Sequence, residues 1–192
     1  FQLTITAALL VPSDWGALEY SNFNETTEQH YGNCGSGPVD SKLYSDSICV
    51  ARGGGCAVAW ASPGEWLAYD IEVSADSVFN IFVRASSANP TNQFSVLLSN
   101  GMGTVFNAPG LGYNNFQDLT WENVQLLAGN HELRVEFIDS NINFCAISVE
   151  EVGVDPTVPT PTTSQFRIKC IGRTATNGKT RISNVCGACS AI

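Results

Sequence analysis

The chain has 192 residues, 44% of them hydrophobic and only 14% charged, which suffices for one packed β-domain with appendages and excludes wholesale disorder. No apolar run approaches the roughly 20 residues of a membrane-spanning helix. The net charge of −9 is uneven: ahead of Pro156 four basic residues face all eighteen acids, a net of −14, whereas from Phe166 onward there are five basic residues and no acid. An acidic body repels phosphates and so excludes nucleic acid as its partner.

In chain order, residues 1–10 lack a basic n-region, and their early alternation reads as a mature N-terminal strand over 1–6 rather than a signal peptide. Asn24-Glu-Thr26 forms an N-glycosylation sequon. Around the Pro63-Gly64 turn, residues 53–85 read as two strands and then a third. Trp66-Leu-Ala-Tyr-Asp-Ile-Glu-Val73 and Val78-Phe-Asn-Ile-Phe-Val-Arg-Ala85 place apolar side chains at period two. Trp66 and Tyr69 are expected in the core. Further strands are expected at 93–99, 103–107, 119–126, 131–138 and 144–152, separated by Gly, Asn and Pro turn chemistry.

Short strands without intervening helices give an all-β fold, an antiparallel β-sandwich. The predicted organisation is a sandwich over residues 1–154, a Pro/Thr linker over 155–164 suited to O-glycans, and a basic Cys-rich tail over 165–192 with a strand at 166–171.

Seven cysteines without a zinc pattern place the protein in an oxidising, secreted setting, extracellular or at a cell wall. Cys49 and Cys56 bracket a Gly-rich loop flexible enough to close, and that pair is expected to be a disulfide. Cys186-Gly-Ala-Cys189 reads as part of a structural disulfide rather than a redox or zinc site. An odd count leaves one thiol free or intermolecular. His30 and His131 have no partner in a triad or metal motif, and no carboxylate pair is marked, so the chain is read as a non-enzyme.

Six segments together resemble one family. They are Leu18-Glu-Tyr-Ser-Asn-Phe23, Gly55-Cys-Ala-Val-Ala-Trp-Ala-Ser-Pro-Gly-Glu-Trp-Leu-Ala-Tyr69, Phe82-Val-Arg-Ala-Ser86, Gly112-Tyr-Asn-Asn-Phe116, Leu126-Leu-Ala-Gly-Asn-His-Glu-Leu-Arg134 and Ile142-Asn-Phe-Cys-Ala-Ile147. In this order and spacing they resemble the family 6 carbohydrate-binding modules. The resemblance implies a jelly-roll sandwich that binds a polysaccharide or other glycan in a cleft at one end, without catalysis and with no required cofactor. The family's two aromatic rings and floor asparagine fall on Trp60, Tyr113 and Asn143. Such a set suits a pyranose, since rings cover its C–H faces while an amide serves its hydroxyls.

The family's structural calcium is implied only in degenerate form. Glu19 stands at one ligand position, but Ser21 and Cys145 replace the other two carboxylates, which weakens any site for a cation that needs six to eight oxygens. Cys145 suggests a disulfide in place of the ion. A second reading stays open: a structural subunit of an extracellular fibre or matrix, self-associating through tail 165–192 by strand addition and disulfides.

Overall fold

The computed structural model describes residues 8–26, 34 and 39–152. The linker, the basic tail with its expected strand and assembly role, and the expected strand at 1–6 lie outside the described residues.

The elements are β1 (Leu9–Val11), β2 (Ser13–Gly16), β3 (Asn22–Asn24), β4 (Ser41–Leu43), α1 (Ser47–Gly53), β5 (Cys56–Val58), β6 (Trp66–Val73), β7 (Ser77–Ser87), β8 (Gln93–Leu98), β9 (Gly103–Asn107), β10 (Gln117–Leu126), β11 (Gly129–Phe137) and β12 (Ile142–Glu151). They form two sheets. One runs β1-β6-β11-β8-β9, with β3 also on β6; the other runs β10-β7-β12-β5-β4, with β2 also on β12.

Alternation explains the stacking. On β6, Leu67, Tyr69, Ile71 and Val73 point inward while Asp70 and Glu72 face solvent; on β7, Phe79, Ile81, Val83 and Ala85 point inward. These chains interleave with Phe94, Val96, Leu133, Val135, Phe144 and Ile147 in one core. The sandwich expected from the sequence is therefore the fold. Its described pairings are antiparallel except one: β1 runs parallel to β6 (Leu9 opposite Ile71).

Three expectations are corrected. First, a short helix, α1, occupies what reads in sequence as a flexible loop. Asp46 caps it by accepting from the Ile48 and Cys49 amides at 3.0 and 3.1 Å, and Gly54, at φ 63°, ends it.

Second, that helix overturns the Cys49–Cys56 pairing. It turns Cys49 toward β12, so Cys49 bonds Cys145 and Cys56, carried on β5, bonds Cys34; both pairs have Cα atoms 5.5 Å apart. A bulge in β12 completes the arrangement. Phe144 faces Ala85 and Ala146 faces Arg84, leaving Cys145 as the extra residue. Bulges re-aim side chains, and here Cys145 joins a second apolar cluster with Cys49, Tyr44, Ala57, Phe116 and Ala146. Cys145, where the resemblance implies a calcium ligand in other members, is disulfide-bonded.

Third, Trp66 is not a core residue. It lies on the outer face of β6, half-buried, with the Arg134 guanidinium 4.2 Å from its ring centroid. Tyr69 is fully buried, as expected, and its hydroxyl donates to the Ala17 carbonyl at 2.7 Å. Among the described residues no helix is long and apolar enough to cross a membrane.

Candidate functional site

The cleft lies at one end of the sheet that contains β4, β5, β7, β10 and β12. Trp60 follows β5, Tyr113 sits in the loop between β9 and β10, and Asn143 opens β12. All three line one cleft of about 140 Å³, together with Lys42, Tyr44 and Asn141. That is well below the size of a pocket that engulfs a drug-sized ligand.

Each wall is held from beneath. Trp60 is 44% exposed and adopts φ 56°, a left-handed conformation that is strained for a bulky side chain. The loop is fixed on both sides: the Ala59 amide donates to the Asp40 carbonyl at 3.0 Å, and the Asn141 amide donates to the Ala61 carbonyl at 3.0 Å. The Trp60 ring thus stands 44% exposed on a strained backbone that is pinned on both sides.

Tyr113 is 46% exposed, and its loop is tied to the end of β7. The Gly112 amide donates to the Ser87 carbonyl at 2.9 Å, and the Ser87 amide donates to the Pro109 carbonyl at 3.0 Å. Gly112 takes φ 102°, and at Gly110 a β-carbon would fall 2.5 Å from Pro90; both positions therefore require glycine. The Tyr113 carbonyl accepts from the Ser86 hydroxyl at 2.7 Å and from the Asn143 amide nitrogen at 2.9 Å.

Asn143 is thus only 3% exposed and braces the loop as well as reaching the floor of the cleft. Burial pushes the Tyr44 phenol up, while its hydrogen bonding with Asn143 acts in the opposite direction. Tyr44 also packs edge-on against Phe116, with ring centroids 4.9 Å apart.

Lys42, Tyr44 and Asn141 also line the cleft without a sequence signal that marks them as site residues. Asn141 lies in an Asp-Ser-Asn run that by itself reads as turn chemistry. Tyr44 stands beside Asp46 in a Ser/Asp-rich segment, and that isolated aromatic was the one available clue.

The expected calcium donors do not assemble into an oxygen cage. The Glu19 carboxylate accepts from the Gly16 amide at 3.3 Å, the Ser21 hydroxyl donates to the Ala68 carbonyl at 3.2 Å, and the Cys145 sulfur is covalently engaged. The tightest acid–cysteine group among the described residues is Asp46, Cys49 and Cys145. Its sulfurs form the disulfide, and both Asp46 oxygens bind Arg84, at 3.0 and 2.8 Å. These residues do not fit a calcium ion, which prefers many hard oxygens.

The sequon residues also carry structural bonds. The Asn24 side-chain amide donates to the Gly64 carbonyl at 3.0 Å, and the Thr26 hydroxyl donates to Glu65 at 2.9 Å. Burial raises the Glu65 carboxyl, but hydrogen bonds from Glu25, Ser62 and Thr26 outweigh it and hold the group below its ordinary value.

The model of the family described as carbohydrate binding module (family 6) matches residues 39–151, more than half of the chain. The chain belongs to that family. The family is one of binding modules, and the match extends across every cleft residue named above. Solved structures similar to this module include the C-terminal family 6 module of a marine laminarinase, LamC, from Zobellia galactanivorans. It is 20% identical at TM-score 0.56, covering 72% of this chain and 98% of that one. A module of Cellvibrio mixtus lichenase 5A, in complex with cellotriose, is 18% identical at TM-score 0.55, covering 73% and 98%. A β-1,3-glucan-binding module from Bacillus halodurans is 18% identical at TM-score 0.55, covering 75% and 99%. At these identities the likeness bears on the fold. Among curated proteins, none matches this chain.

Proposed function

We propose that this module binds a polysaccharide non-catalytically, taking one sugar unit between Trp60 and Tyr113 over a floor that includes Asn143. The observation that carries the reading is convergence. An exposed tryptophan, an exposed tyrosine and an asparagine from three distant segments line the same cleft, in positions implied by the family. Two exposed aromatic planes beside amide groups match the two kinds of surface on a pyranose, apolar C–H faces and a rim of hydroxyls.

No pair of acids lines the cleft among the described residues, so the chemistry supported there is recognition rather than bond cleavage. Two disulfides favour an extracellular setting. The module from Bacillus halodurans is β-1,3-glucan-binding and that from Cellvibrio mixtus was solved with cellotriose, which makes β-linked glucans the first ligands to try.

Calorimetric titration of the full chain with laminarin, cello-oligosaccharides and xylo-oligosaccharides tests the reading. Binding that is saturable, of micromolar to millimolar strength, and lost together with Trp60 supports it. Absence of binding to every polysaccharide and oligosaccharide tried, acidic ones included, overturns it.

A further inference from the structure

Of the four cations among the described residues, three are neutralised. Arg52 pairs with Asp14 at 3.4 Å, Arg84 with Asp46 at 2.8 Å and Asp118 at 3.1 Å, and Arg134 with Glu132 at 2.8 Å. Lys42 is the exception, with no ion pair to any described residue, and it stands on the wall of the cleft. Its ammonium group lies over the Tyr44 ring, 5.4 Å from the centroid, and the residue is exposed on a cleft that Trp60 and Tyr113 also line. No acid lines the cleft among the described residues, although the whole chain holds eighteen acids. Among the described residues, then, the positive charge at this site has no acidic partner, on a protein of net charge −9.

Resting on the sugar-binding reading, we propose that the cleft selects an anionic sugar unit, with Lys42 pairing with a carboxylate or a sulfate ester on the ring held between Trp60 and Tyr113. A lysine is a compact point charge with three donors, suited to either group. The surrounding acidity restricts the ligand further. A polyanion would be repelled by the rest of the surface, so the favoured glycan carries sparse charge, one anionic unit in an otherwise neutral stretch. At about 0.15 M salt the Debye length is about 8 Å, which mutes distant carboxylates but leaves a direct contact with Lys42.

The experiment compares matched oligosaccharides on the full chain. One pair is a glucuronic acid-bearing xylo-oligosaccharide against its carboxyl-reduced form. The other is a singly sulfated galacto-oligosaccharide against its desulfated form. At about 0.15 M salt the charged member of at least one pair binds about three- to fivefold more tightly, the range of an exposed ion pair, and the ratio falls toward one at about 1 M salt. Preference in the first pair assigns a carboxylate ligand, and preference in the second a sulfate. Lys42→Gln brings the ratio to about one, while Lys42→Arg retains it. A wild-type ratio of one or less in both pairs, or a ratio that Lys42→Gln leaves intact, overturns the proposal while the sugar-binding reading stands. If neither member of either pair binds and neutral glucans also fail, the cleft reading itself falls.

Discussion

The side-chain amide of Asn143 donates to the main-chain carbonyl of Tyr113 at 2.9 Å, so the residue at the cleft floor also sets the height of one wall. The same carbonyl accepts from Ser86, whose hydroxyl in turn lies 3.4 Å from the Asn143 amide nitrogen. Asn143→Ala removes a donor from a nearly buried network and leaves polar partners unsatisfied, at a cost of about 1–3 kcal/mol in stability. Asn143→Asp is expected to be worse, because it turns a carboxylate oxygen toward a carbonyl. Thermal denaturation measures the first effect, and glycan titration of the still-folded variant measures the loosened Tyr113 loop. An Asn143→Ala protein with unchanged melting temperature and affinity would refute this coupling.

Trp60 and Tyr113 expose nearly half of their surface, so their truncation separates binding from folding. Trp60→Ala and Tyr113→Ala should each weaken glycan binding by about 1–2 kcal/mol, roughly five- to thirtyfold. Surface substitutions shift stability by about 0.5 kcal/mol or less. Trp60→Ala carries one qualification from its own backbone: alanine at φ 56° is strained too, so Trp60→Gly is the companion variant that keeps the loop relaxed. Equal ligand affinity in both Trp60 variants and wild type would remove the tryptophan from the site.

Long strands were legible because period-two alternation needs no tertiary information: β6 and β7 bury every second side chain as their sequences dictate. The short strands β1 to β4, of three or four residues each, were not, since so few residues carry too little alternation to read: β1 and β3 lie along β6, β2 lies along β12, and β4 pairs with the equally short β5. Trp66 was misplaced although its parity marks it. It shares a face with Asp70 and Glu72, opposite Leu67, Tyr69, Ile71 and Val73, and an expectation drawn from a large apolar side chain alone overrides that alternation. In the cleft, Trp60, Tyr113 and Asn143 were found through motif order. Lys42, Tyr44 and Asn141 were not, because each reaches the site from a segment whose local pattern describes only a turn or an edge. The cysteine pairing failed at α1: a seven-residue helix ended by Gly54 redirects Cys49, and the bulge that exposes Cys145 to it leaves no mark in the sequence.

That pairing makes a graded prediction. The Cys49–Cys145 bridge closes a separation of 96 residues and the Cys34–Cys56 bridge one of 22. In the chain-entropy account the longer loop contributes about 4–5 kcal/mol and the shorter about 3 kcal/mol. Replacing both Cys49 and Cys145 by alanine should therefore lower the melting temperature more than replacing both Cys34 and Cys56. Chelation of divalent ions should leave it unchanged, since the residues at the family's calcium positions hydrogen-bond or bond to sulfur instead. A fall in melting temperature on chelation would restore the ion, and equal losses in the two double variants would remove the loop argument.

The last prediction concerns acid. Hydrogen bonding from Arg84, helped by the Cys49 and Ile48 amides, holds the Asp46 carboxyl below its ordinary 3.8, against the opposing effect of burial. Because the folded value is the lower one, the ionised group stabilises the fold above pH 3.8, and that contribution disappears as pH falls through the folded value. Asp46→Asn keeps a competent helix cap but removes the charge that faces Arg84. Hydrogen bonds to charged groups are worth about 1.5–3 kcal/mol, so the variant should be about 2 kcal/mol less stable at neutral pH. The gap between wild type and Asp46→Asn should then close below pH 3.8, because the protonated wild-type side chain no longer offers Arg84 a charge. Denaturant titrations of both proteins from neutral pH into acid give the two curves. Parallel curves would show that the Asp46–Arg84 pair does not govern the acid response, leaving Glu65, held below its ordinary 4.5, as the next carboxylate to test.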